Sequence, residues 1–251
     1  MNYPIQQLGW SQEQAQQLVK TYSADIPSSH YYLDVDDEYL VEALLNYFQL
    51  TLQTNLKFQD ALRPLGINSL EAIKAFEMGY ANRSLNRFIP DDDLAIRGVL
   101  QRCGWLKASG HERFRYAYIY PLYDIDGNLV GAWGYWLGSG LLDSEAQLLL
   151  WNSASYGLSH PEPLCRAKEV LIRATPLQAC QSYALGYTNA LALVMESLSR
   201  SRINSLFASL GFDKVFLHGE DRLSHPSWFE LLSEALFELD IPFEVLPVAR
   251  A

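Results

Sequence analysis

The chain has 251 residues, and its 19 basic against 29 acidic side chains leave −10 at neutral pH, which excludes a generally basic nucleic-acid coat. Apolar residues make up 49 % of it and Gly plus Pro number 26, so disorder, collagen-like repeats and low-complexity architecture are excluded as well. Three scattered cysteines, Cys103, Cys165 and Cys180, form no CxxC pair, and neither a signal peptide nor an apolar run of about 18 residues is visible, so a folded, cytoplasmic protein with no membrane contact is expected.

Ser11 opens a short capped helix predicted over 11–21. Asp34, Asp36, Asp37 and Glu38 stand before a helical apolar pattern through Leu40, Leu44, Leu45 and Phe48. The helix dipole favours acids there, so they read as solvated caps rather than a metal site. Residues 56–80 predict a helix broken at Pro64 and Gly66, then a second one opened by Asn68 or Ser69 and stopped by Gly79. Asp91, Asp92 and Asp93 cap a further helix that ends at Gly104.

From Arg113 the period shortens, and 113–137 predicts an antiparallel hairpin turning at Asp126-Gly127. After a loop around Gly157 to Pro163, the strand-like runs AKEVLIRATP, GYTNALALVM, DKVFLHGED and PFEVLPV alternate with helices over 177–185, 200–210 and 228–239. That alternation implies βαβ units and a parallel sheet. Ligands of such sheets sit at the carboxyl ends of strands, which points to Arg173–Thr175, Met195–Ser197 and His218–Asp221.

Seven segments then carry a resemblance: EAIKAFEMGYA at 71–81, RCGW at 102–105, ERFRYAYIYPLYDIDGNLVGAWGYWL at 112–137, NS at 152–153, YGL at 156–158, AKEVLIRATPLQA at 167–179 and GYTNALAL at 186–193. In this order and rough spacing the chain resembles the bacterial-type DNA primase catalytic core over about residues 45–248. Its second half resembles the TOPRIM fold shared with type IA and type II topoisomerases. The resemblance implies an α/β fold, α+β overall. A primase-core-like subdomain of helices and an antiparallel hairpin would span 45–160, and a truncated, Rossmann-like TOPRIM subdomain with a mostly parallel sheet 161–251. Residues 1–44 have no counterpart and form an acidic helical extension, with seven acids against one lysine.

The family makes RNA primers on single-stranded DNA with divalent metal held by carboxylates at strand ends, and here the resemblance is to an eroded version. The glutamate and glycine that end the first TOPRIM strand correspond to Ala174 and Thr175, and an aspartate in the next helix corresponds to Gln178. The Asp-x-Asp motif reads His218 and Glu220, with Asp221 beside them. A later acidic pair, a zinc ribbon and a helicase-docking region are also expected to be missing. An arginine of the second hairpin strand gives way to the run Trp133-Gly134-Tyr135-Trp136, and a lysine before Asn152 to Leu148, Leu149, Leu150 and Trp151.

The expected function is therefore that of a primase-like pseudoenzyme of DNA replication or a mobile element, without cofactor, acting by binding single-stranded DNA or a replication protein. Hairpin Trp and Tyr would be exposed contact anchors, although an aromatic stripe is more often core. Arg83, Arg87, Arg113, Arg115 and Asn152 are the nucleic-acid candidates, within or near a stretch, 83–115, of seven basic and four acidic residues. One alternative is an active primase or TOPRIM phosphotransferase using Glu220, Asp221 and His218 with Mg or Mn; another is a small-ligand α/β module. His218, Glu220, Asp221 and His225 remain as metal candidates suited to zinc or manganese, against a reading in which the two acids cap the helix after Pro226 or face solvent.

Overall fold

A computed structural model describes residues 31–85, 89, 93–137, 147–195, 199–208, 210 and 212–248. The helix predicted over 11–21, Arg87, Asp91 and Asp92 lie outside these residues. Helix α1 (Val35–Gln53) buries Val41, Leu44, Leu45, Phe48 and Leu52, the stripe that a 3.6-residue period places on one face. Asp37 in its first turn departs from the solvated role expected of the acidic run. It is fully buried and ion-paired with Arg102.

Helix α2 (Leu56–Asp60) gives way to a 3-10 turn at Arg63–Leu65, where Pro64 sits, and Gly66 leaves it in the left-handed region at φ 80°. Ser69 caps α3 (Leu70–Ala75) by accepting the Glu71 and Ala72 N–H groups. Gly79 does not stop that helix as predicted. It begins β1 (Gly79–Tyr80), and a Cβ there would lie 2.6 Å from the Cβ of Phe48, so glycine is what lets the strand pass against α1. Asp93 caps α4 (Leu94–Arg102), accepting the Ile96 N–H at 3.2 Å.

The predicted hairpin is β2 (Tyr118–Tyr123) and β3 (Leu129–Tyr135). Asp124 nucleates its turn by accepting the N–H groups of Asp126 and Asn128. Trp133, Trp136, Tyr118 and Tyr120 are buried, so the expectation of exposed aromatic anchors on the hairpin is corrected for these four, while Tyr116 is 46 % exposed. The apolar run before Asn152 is β4 (Gln147–Leu150), paired to β3, and the segment predicted as loop holds β5 (Tyr156–Ser159).

Beyond α5 (Glu162–Arg166), strands and helices alternate as β6 (Glu169–Arg173), α6 (Pro176–Ala184), β7 (Ala190–Met195), α7 (Arg200–Ala208) and β8 (Lys214–His218). The run DKVFLHGED is thus a strand only to His218; α8 (Gly219–Ser224) follows at once, then α9 (Pro226–Glu238) and the edge strand β9 (Phe243–Leu246). Among the described residues nine strands make one mixed α/β sheet in the order β4-β3-β2-β5-β7-β6-β8-β9, with β1 on β2. Pairing is parallel from β7 through β6 and β8 to β9 and antiparallel elsewhere. No helix among the described residues is long and apolar enough to cross a membrane.

Candidate functional site

At the carboxyl end of β6 the apolar run Val170, Leu171 and Ile172 finishes in Arg173, a cation only 3 % exposed. A buried guanidinium must find partners for all its donors, and this one does. Nε donates to Asp221 Oδ2 at 2.7 Å, one terminal nitrogen to Ser182 Oγ at 2.6 Å and the Gln178 carbonyl at 3.3 Å, and the other to Glu220 Oε2 at 2.8 Å and Asp221 Oδ1 at 3.4 Å. Asp221 is fully buried, Glu220 half exposed. Burial pushes the Asp221 carboxyl above the usual range, while the hydrogen bonds and charge of Arg173 pull the other way.

His218 closes β8 and caps α8, its Nδ1 accepting the Glu220 N–H at 3.2 Å. Burial first, and the Arg173 charge second, lower its pKa, which keeps the ring neutral. His225 lies between α8 and α9, its Nδ1 2.9 Å from Ser224 Oγ. Glu220 and Asp221 therefore sit in the first turn of α8, not at the helix after Pro226, and Asp221 is not solvated.

The divalent metal implied by the resemblance does not fit these residues. The Ala174 side chain has no ligating atom, Thr175 caps α6 through the Gln178 N–H, and Gln178 hydrogen-bonds Thr175 and Ser224. Both oxygens of Asp221 and Oε2 of the half-exposed Glu220 face an arginine. Among the described residues no group of three His, Cys, Asp or Glu side chains is placed to hold a metal ion. Cys180 on α6 is a buried thiol whose pKa burial pushes well up, an inert packing group.

The nucleic-acid candidates divide into structural clamps and exposed cations. Arg113 lies 4.6 Å over the ring of Tyr31, bonds its hydroxyl and donates to the Gly104 carbonyl at 2.6 Å. Asn152 spends its side-chain amide on the backbone of Leu33. Arg83 and Arg115 are exposed. Backbone bonds between Ala81 and the 116–117 segment bring the chain near Arg83 alongside Arg115 and Tyr116. Tyr116, 46 % exposed, lies under the Arg115 guanidinium at 5.5 Å. Arg83 and Tyr116 both hold left-handed backbone, at φ 64° and 65°, an unusual conformation for side chains of this size.

The network around Arg173 does not follow from the motifs, and the expectation of exposed hairpin aromatics does not single out Tyr116. A signal for the first is present: an arginine ending a strand otherwise made of Val, Leu and Ile has to recruit a carboxylate. Tyr116 lies within an aromatic stripe whose neighbours are core, so composition offers no means of separating it.

This fold is shared by solved DNA primase catalytic cores. A DnaG catalytic core matches with a TM-score of 0.64 and 20 % identity, over 85 % of this chain and 73 % of that one. The E. coli primase catalytic core gives 0.63 and 18 %, over 85 % and 72 %. A DnaG primase catalytic domain bound to single-stranded DNA gives 0.61 and 18 %, over 95 % and 76 %. No family model matches the chain, and no curated protein matches its sequence.

Proposed function

We propose that this chain is a primase-core-like protein of DNA replication that binds single-stranded nucleic acid and does not carry out metal-dependent nucleotidyl transfer. The observation that carries the reading is the carboxyl end of the sheet, where Ala174 rather than an acid follows β6 and Arg173 holds both Glu220 and Asp221. Two-metal phosphoryl transfer needs carboxylates free to position cations against the attacking and leaving oxygens. With both Asp221 oxygens and one Glu220 oxygen turned onto a guanidinium, the fold keeps its shape without its electrophilic centre.

Binding is supported by Arg83, Arg115 and Tyr116, which offer two cations to phosphates and an aromatic face to a base. A solved relative in fold is described as bound to single-stranded DNA. With −10 on the whole chain, the attraction is local and steeply weakened by salt. The test is template-directed synthesis from labelled ribonucleotides with Mg2+ or Mn2+, a zinc-ribbon module and helicase being supplied in trans. No product is expected; primers of defined length would overturn the inactive half of the reading.

A further inference from the structure

Resting on that reading, we infer that the guanidinium of Arg173 is a tethered cation standing in for a divalent ion between the carboxylates at the carboxyl end of the sheet. Three observations converge on it. The position is where open α/β sheets receive their ligands, immediately beyond the ends of β6 and β8. The ligand set is oxygen-rich: Asp221 with both oxygens, Glu220 with one, the Ser182 hydroxyl and the Gln178 carbonyl all converge on one positive group. Such a shell is the kind a hard cation takes from protein. The guanidinium, finally, is saturated, since each of its five N–H donors has an acceptor and none is left for a phosphate or a substrate carboxylate.

The energetics explain why such a cation would be retained. Asp221 is fully buried, and a buried carboxylate without a counter-charge is strongly unfavourable, so some cation has to be present for the ionised form to persist. A diffusible metal would satisfy it only when bound; an arginine covalently fixed at the end of β6 satisfies it always. The site is thereby uncoupled from metal concentration, and stability becomes independent of divalent ions.

The prediction is an exchange of cations. In the full chain, Mn2+ leaves the wild-type melting temperature unchanged within error. R173A melts lower, and saturating MnCl2 raises its melting temperature by about 5 °C at a hundredfold excess over Kd. R173K, which keeps a tethered charge, shows a Mn2+ response at least threefold smaller than R173A. In R173A/D221N, where the buried charge is gone, the response disappears. Should R173A be recovered unfolded, refolding with and without MnCl2 gives the same reading: recovery with the metal supports the stand-in, and equal failure in both overturns it. A Mn2+ shift in the wild type, or an R173A protein indifferent to Mn2+, also overturns it. These outcomes are separate from primer synthesis: an active wild type would refute inactivity whatever R173A does, and an indifferent R173A would refute the stand-in while leaving inactivity untouched.

Discussion

Asn152 holds Leu33 across 119 residues of sequence: its Oδ1 accepts the Leu33 N–H at 3.1 Å and its Nδ2 donates to the Leu33 carbonyl at 3.0 Å. The pair fastens the segment before α1 to the turn that follows β4. Asn is suited to the place because its backbone is left-handed, at φ 54°, a conformation asparagine tolerates better than most residues. N152A should therefore lower stability by about 1–3 kcal/mol through the loss of two hydrogen bonds and the strain of alanine at a positive φ. Single-stranded DNA affinity should not change. Denaturant melts and fluorescence anisotropy on the same variant separate this clamp from a nucleic-acid contact.

Arg83, Arg115 and Tyr116 should behave in the opposite way. R83A and R115A should each weaken binding of a labelled oligothymidylate and flatten the plot of log affinity against log salt by about 0.7 for each phosphate that is no longer neutralised. Y116A should weaken binding by about 1–3 kcal/mol with little change in salt slope, because it removes stacking rather than charge. R113A, whose guanidinium is committed to Tyr31 and Gly104, should instead reduce the melting temperature. Equal affinities for all four variants and wild type would remove this surface as the binding site.

The Asp37–Arg102 pair joins the first turn of α1 to the end of α4 inside the core, with Asp37 fully buried. D37A should cost about 3–5 kcal/mol, because it removes the buried carboxylate that faces a buried arginine. D37L/R102M should recover most of that loss, since a buried ion pair replaced by well-packed apolar groups is often neutral. Urea melts of the wild type and both variants measure the difference directly.

Stability should also fall on the acid side of neutrality. His160 packs against Phe76 at 4.9 Å and Tyr183 at 5.4 Å, and burial lowers its pKa, while Glu162, backbone hydrogen bonds with Thr188 and Ala75, and Glu77 oppose that shift only in part. His218 is lowered too, by burial and then by Arg173. A histidine lowered on folding is protonated more readily in the unfolded chain, so stability is full above the ordinary value of 6.5 and declines as pH drops through and below it. H160N is the suitable variant because position 160 has φ 57°. Its melting temperature should vary less between pH 7.5 and 5.5 (about the range in which histidines titrate) than the wild type's, the remaining slope coming from His218.

Periodicity locates the elements well where each has one exposed and one buried face. The hairpin over 113–137, helix α1 and the alternation after Arg166 follow from spacing alone, and Ser69 and Asp93 cap where their side chains suggest. Short strands buried on both faces show no alternation: Leu148–Leu150 and Tyr156–Ser159 look like an apolar run and a loop. Gly79 misleads because a glycine that ends a helix and one that permits close approach are the same letter. At the site, the chain order shows Ala174 where an acid is expected, yet the link from Arg173 to Asp221 spans 48 residues and is invisible until β6 and β8 lie side by side. Asn152 and Arg113 have the chemistry to meet a phosphate, and folding commits both to the chain itself.

If the carboxyl end of the sheet holds its own cation and takes no other, calorimetric titration of the full wild-type chain with MnCl2, in the presence and absence of single-stranded DNA, addresses it most directly. Once the heat of MnCl2 titrated into the DNA alone is subtracted, no saturable heat is expected under either condition. A saturable isotherm near one ion per chain that vanishes in E220Q would contradict it.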